Sequence, residues 1–281
     1  MATLPDAEVD RGFIYVAWGE RYLREAFDSA TNLRKHMSDP IVLVTSEPVD
    51  EPNPFDSVIV TPFSATYRDK INMRLSPFEH TVFLDTDTWV LQSLDEVFQL
   101  LERFDIVYQP SAPSDHYRIE GMPMHAFYEP SAGFVAWRKN DRTTSFFDVW
   151  DREYTAQERE NGDGAWDQRS MRAALWKTDV HISGLGPDWQ LMSMEANIFM
   201  NSVKMVHGRG RDANAARREC NTKIGPRLYV PRLGFTTIWT MTPLDYLRLS
   251  AASAYMFVYR TARMLLHWTG LWRLPTNKRP M

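Results

Sequence analysis

"TVFLDTDTWV", residues 81–90, is an apolar strand that runs into two carboxylates, Asp85 and Asp87, one residue apart. Strand side chains alternate faces, so positions i and i+2 point the same way. A strand ending near Asp85 would therefore aim both carboxylates at one small volume. Two like charges held that close repel and resist ionisation unless a cation joins them. A divalent metal does this, and hard oxygen ligands suit Mg²⁺ or Mn²⁺. The bland reading is a turn, because Asp and Thr are ordinary turn residues. Both readings stand on the pattern alone.

Working outward, strands alternate with helices. "GFIYVAW" (12–18), "PIVLVT" (40–45) and "SVIVTPF" (57–63) read as buried strands. Between the first two lies a helix from about Glu20 to His36, with Tyr22, Ala26, Ala30 and Leu33 on one face. "YRDKINMRLS" (67–76) reads as helical and stops before Pro77. "SLDEVFQLLERF" (93–104) is an amphipathic helix with Ser93 as its N-cap, and "DIVYQ" (105–109) a short strand. This order predicts an α/β domain with a largely parallel sheet. Ligands of such sheets lie beyond the carboxyl ends of the strands, where Ala17, Trp18 and the aspartates fall.

The second half is less regular. Residues 109–130 form a long polar, Pro-rich loop, a length usual for functional segments. "SAGFVAWRK" (131–139) is a strand, and 141–159 and 165–177 are helices around the turn "ENGDG". "VKMVHGRG" (203–210) is a strand ending in His207 before two glycines. A His brought to two carboxylates makes a metal site with open positions. Asp167 and Gln168 are the remaining polar pair.

Composition excludes some classes. The chain has 281 residues, 44 % hydrophobic and 24 % charged, as globular proteins do. A net charge of −4 gives no global basic field to draw nucleic acid. Cys220 is the lone cysteine, which excludes an internal disulfide and a cysteine-type zinc site. It fits a reducing, cytoplasmic setting. "MATLPDAEVDRG" is acidic without an apolar core, so it does not read as a signal peptide. Residues 243–272 are apolar and aromatic, and Asp245 is the one acid in 241–281 against Arg248, Arg260, Arg263, Arg273, Lys278 and Arg279. Arg260 and Arg263 interrupt the apolar run, which argues against a spanning helix. Two readings remain: a helix packed on the domain or a dimer contact, and a basic amphipathic helix on an anionic membrane surface.

The order and spacing of these segments over roughly 12–210 resemble the GT-A nucleotide-sugar glycosyltransferases, above all glycosyltransferase family 8 (glycogenin and the bacterial galactosyltransferases). "YRDKINMRLSPFEHTVFLDTDTWVLQSLDEVF" resembles the family's Lys-containing helix, its Asp-x-Asp strand and the following helix. "SAGFVAWRKN" resembles its Asn-x-Gly strand with Ser131 in place of Asn, "WDQRSM" its Asp-Gln pair, and "HGRGR" its His-Gly element. The family's Lys-Pro-Trp does not follow, which leaves Arg209 or Arg211 as a substitute phosphate contact. The resemblance implies a GT-A domain with a mixed central sheet (1–240) and a helical C-terminal extension (241–281).

It implies roles as well. Asp85, Asp87 and His207 would hold Mn²⁺ or Mg²⁺. Ala17, Trp18 and Tyr22 would line the base and ribose pocket, with Asp85 and Thr86 in the same donor contact. Lys70 would reach the diphosphate or sugar. Asp167 would hold sugar hydroxyls, and Gln168 would sit near the anomeric carbon. The implied reaction moves a sugar from a nucleotide diphosphate, UDP before GDP, to an acceptor of unknown class. Family 8 members retain configuration; an inverting reaction would need a base, for which Asp163 or Asp167 qualifies. Three alternatives stay open. A haloacid-dehalogenase-like phosphatase would use Asp85 as phosphoryl acceptor and Asp87 as acid/base. A nucleotidyltransferase would share the nucleotide-binding half. A non-catalytic nucleotide-sugar binder would keep the fold alone.

Overall fold

The computed structural model describes residues 10–111, 119–161 and 165–237, with isolated positions between 243 and 261. The first half builds β1 (Arg11–Val16), α1 (Gly19–Leu33), β2 (Ile41–Thr45), β3 (Ser57–Val60), a 3-10 helix (Tyr67–Leu75), β4 (His80–Leu84), β5 (Thr88–Val90), α2 (Asp95–Leu101) and β6 (Ile106–Ser111). The second half adds β7 (Glu129–Arg138), α3 (Asp141–Asn161), α4 (Asp167–Lys177), β8 (Ile182–Gly184), β9 (Gln190–Met192), β10 (Asn197–Phe199), β11 (Met205–His207), α5 (Gly210–Glu219), β12 (Arg227–Val230) and β13 (Gly234–Thr237).

Among the described residues the main sheet has seven strands in the order β3-β2-β1-β4-β7-β6-β8. Its first four strands run parallel, and β7 lies antiparallel to both β4 and β6. The sheet is thus mixed rather than largely parallel. β7 runs back alongside β6 as an antiparallel partner, a pairing that needs no crossover helix. Successive residues of β1 feed opposite cores. Phe13 and Tyr15 pack beneath α1 and α2 with Leu33, Leu43 and Phe98. Ile14 and Val16 pack on the other face with Phe83, Trp137, Phe146 and Trp150 under α3 and α4. Burial on both faces is why this strand reads as an unbroken apolar run.

Several boundaries differ from the sequence reading. The segment 67–75 is a 3-10 helix, opened by a capping box in which the Thr66 side chain and Asp69 satisfy each other's backbone N–H groups. Ser93 lies just outside α2, and its Oγ accepts from the Asp95 N–H. Two further small sheets are β5-β11-β9 and β10-β12-β13; of their strands the sequence marks β11, ending in His207, while β9, β10, β12, β13 and helix α5 come from stretches without readable periodicity. The helical extension at 241–281 lies outside the described residues except for those isolated positions. Among the described residues no helix is long and apolar enough to cross a membrane.

Candidate active site

The carboxylates converge, but by a turn rather than a pleat. β4 ends at Leu84, and residues 85–87 turn the chain into β5. Thr88 closes the turn by donating both its N–H and its hydroxyl to the Asp85 carbonyl, at 3.1 and 2.8 Å. The Asp85 N–H is donated to the Gly133 carbonyl on β7 at 3.0 Å. β11 then pairs antiparallel with β5, setting His207 opposite Thr88, and the Gly208 N–H bonds the Asp87 carbonyl at 3.1 Å. One ligand atom each from Asp85, Asp87 and His207 lies within 4.8 Å of the others. His207 Nε2 is 3.1 Å from Asp87 Oδ1 and 3.8 Å from Asp85 Oδ2.

This group fits a hard divalent cation. Asp87 is buried, and its Oδ1 faces His207 Nε2 at 3.1 Å. Two carboxylates and an imidazole nitrogen gathered at this depth are a ready place for a positive ion. Burial pushes the Asp87 carboxyl up, yet His207, Arg209 and Lys70 together hold it down at about 2. It is therefore ionised at neutral pH, as a ligand must be.

Two cations already lean on the pair. Lys70 Nζ lies 2.9 Å from Asp85 Oδ2 and 2.8 Å from Asp167 Oδ2. Burial would lower this ammonium's pKa, but the Asp167 and Asp85 charges raise it above its ordinary value. Arg209 Nη1 lies 2.7 Å from Asp87 Oδ2, while its other nitrogens grip Glu25 at 2.6–3.0 Å. Thr86 is buried, and its hydroxyl donates to the same Glu25 at 3.2 Å. The guanidinium also stands over the Tyr22 ring, 5.6 Å from its centroid.

The expected sugar-facing pair sits at the start of α4. Asp167 is buried, and Trp150 Nε1 holds the helix start by donating to the Asp167 carbonyl at 3.2 Å. Gln168 Nε2 donates to the Pro130 carbonyl at 3.3 Å, next to Ser131 on β7. Trp18 is half-buried between Tyr22 and Phe63, each 5.5 Å away centroid to centroid. Ala17 differs from the expectation of a pocket wall: its side chain is fully buried in the core, and its N–H is donated to the Val44 carbonyl. Asp163 lies outside the described residues.

Several contributors carry no sequence signal. Glu25 reads as one more polar residue on an amphipathic helix. Gln190 sits in a stretch without periodicity. Arg217 stands 4.8 Å over the Trp89 ring and, with Glu25, Asp28, Asp87 and Arg209, lines a cleft of about 210 Å³ beside the carboxylates. Of the two arginines offered as phosphate contacts, Arg209 reaches the site, and Arg211 is exposed on α5.

No curated protein matches the chain. Solved structures do. The apo form of the glycosyltransferase GlyE from Streptococcus pneumoniae TIGR4 is 12 % identical with a TM-score of 0.50, over 78 % of this chain and 57 % of that one. The galactosyltransferase LgtC, solved with donor and acceptor sugar analogues, is 12 % identical with a TM-score of 0.49, over 71 % of this chain and 87 % of LgtC. The chain spans little more than half of GlyE, and that likeness speaks to the fold: a GT-A α/β domain built on a mixed sheet. A model of the nucleotide-diphospho-sugar transferase family matches residues 26–218, a span that holds Lys70, Asp85, Asp87, Asp167 and His207, and the chain belongs to that family.

Proposed function

We propose that this protein transfers a sugar from a nucleotide diphosphate, UDP first, to a hydroxyl acceptor, with Mn²⁺ or Mg²⁺ held by Asp85, Asp87 and His207. The observation that carries the reading is the convergence of Asp85, Asp87 and His207, one ligand atom of each within 4.8 Å of the others. When bound, such a cation supplies Lewis-acid stabilisation of the departing nucleotide diphosphate. The chain's own cations add to it: Lys70 and Arg209 already flank the carboxylates and are fixed in place before any substrate arrives. Trp18 and Tyr22 offer aromatic surface to the base and ribose. Thr86 keeps the Asp85–Asp87 turn tied to α1.

Asp167 is assigned to sugar hydroxyls and Gln168 to the neighbourhood of the anomeric carbon. The Lys70 contact at 2.8 Å favours retention. A carboxylate committed to a buried ammonium is a poor general base, which an inverting reaction would require. Membership of the nucleotide-diphospho-sugar transferase family disfavours a phosphatase. Acceptor choice is assigned to the 109–130 connection, since loops on a rigid scaffold carry specificity.

The test is thermal unfolding with UDP, GDP, CDP and ADP, each with and without Mn²⁺, for the native chain and Asp87→Ala. A ligand that binds only the folded state raises the midpoint. The expected result is a rise that needs UDP, Mn²⁺ and Asp87 together. A rise with UDP that ignores both Mn²⁺ and Asp87 removes the metal from the reading. No rise with any nucleotide overturns the donor assignment.

A further inference from the structure

The ligand role of His207 places a demand on the atoms behind its ring. An imidazole that binds a metal offers a bare nitrogen on one side and carries its proton on the other. Nε2 faces Asp85 and Asp87, so Nδ1 must carry the proton and needs an acceptor. The group at Nδ1 is the amide of Gln190, whose Nε2 lies 2.6 Å away. β9 and β11 run parallel with Gln190 opposite Met205, so Gln190 and His207, two positions beyond Met205, share one face of the small sheet. Gln190 is 2 % exposed.

The 2.6 Å contact and the buried, unpartnered Oε1 both fit the amide turned end for end, with Oε1 accepting from Nδ1–H. A donor behind Nδ1 selects the ring form with the proton on Nε2, which points at the carboxylates and leaves no lone pair for a cation. An acceptor behind Nδ1 selects the opposite form. Both ends belong to one amide and exchange places by a half-turn. The ring itself has little room to answer instead. A Cβ built on Gly133 would stand 2.1 Å from His207 Cε1 and 2.6 Å from Nδ1, so the β7 backbone lies flat against the imidazole.

We infer that Gln190 is the positioning residue of His207: its Oε1 accepts the Nδ1 proton, which fixes the ring and leaves Nε2 bare toward Asp85 and Asp87. This rests on the metal reading above.

Two variants and one spectrum test it. Gln190→Glu keeps an acceptor of the same length and cannot donate when ionised. Gln190→Met keeps the bulk and offers neither. Mn²⁺ alone is titrated and the free ion counted by electron paramagnetic resonance. Gln190→Met should bind about 10–100-fold more weakly, and Gln190→Glu within about 3-fold of the native chain. Nitrogen-detected NMR should show His207 protonated at Nδ1 in the Mg²⁺-saturated native chain, with that preference weakened in Gln190→Met. Native affinity in Gln190→Met overturns the inference, as do equal losses in both variants, which would mean packing alone. His207 protonated at Nε2 in the Mg²⁺-saturated native chain overturns it without any variant. If the native chain binds no Mn²⁺, the metal reading falls and takes this one with it; native binding with an indifferent Gln190→Met removes only the role of Gln190.

Discussion

Gly133 and His207 meet face to face: the β7 backbone passes so close to the imidazole that a methyl group on Gly133 would stand 2.1 Å from Cε1. Gly133 is therefore needed for the room it leaves. Its substitution to Ala should push His207 off Asp87 while the sheet holds. The expected result is a loss of at least about 10-fold in Mn²⁺ affinity, with the unfolding midpoint lowered by far less than metal removal would explain. Native Mn²⁺ affinity in Gly133→Ala would take His207 out of the site.

Lys70 is the single ammonium between Asp85 and Asp167. Removing one partner of a buried ion pair leaves the others uncompensated, at a cost of about 3–5 kcal/mol. Lys70→Met should lower stability by that order and abolish UDP binding. Lys70→Arg, with a different donor geometry, should recover stability better than it recovers binding. Urea unfolding and nucleotide titration separate the two effects.

Arg209 shares Asp87 with any incoming cation and is held there by Glu25. Its charge opposes metal entry but favours a diphosphate. Arg209→Ala is expected to tighten Mn²⁺ binding a few-fold in the absence of nucleotide, the effect being tempered because the side chain is 38 % exposed. The same variant should weaken UDP binding in the presence of Mn²⁺. Movement of both affinities in one direction would contradict the shared contact.

Asp105, just before β6, is fully buried and accepts from Arg142, Arg138, Asn140 and the His181 N–H. Burial pushes its carboxyl up, but the Arg142 hydrogen bond and the other donors hold it well below the usual carboxylate range. The folded state thus binds this proton less readily than the unfolded one, whose pKa is about 3.9. Its contribution to stability is present above about pH 4 and is lost as the pH falls toward the folded value. Urea midpoints should fall on acidification below about pH 4, and in Asp105→Asn that fall should be shallower from a lower starting point.

Much of this was legible in the chain because strong patterns carry it. β1 and β2 are unbroken apolar runs, and α1 repeats its small residues at helical spacing, so the α/β half follows from periodicity. Asp85, Asp87 and His207 stood out as polar residues ending apolar strands. Gln190 and Glu25 did not, since their roles come from register across β9–β11 and from the packing of α1 against the Asp85–Asp87 turn. Neither relation leaves a local trace. The route by which the carboxylates converge is open in the sequence for the same reason: an alternating strand and a tight turn both place i and i+2 side by side, and the Thr88 hydrogen bonds to the Asp85 carbonyl decide for the turn.

The three residues proposed as ligands come from two places far apart in sequence, the β4–β5 turn and the end of β11. A cation joining them closes a long loop that holds β6, β7, α3 and α4. Such a clip works on the unfolded chain as much as on the folded one, by denying it conformations in which the ends wander apart. The metal proposed for catalysis would then also serve as a staple, and its loss would first loosen the small β5-β11-β9 sheet, whose strands are three residues each and have few hydrogen bonds of their own to hold them.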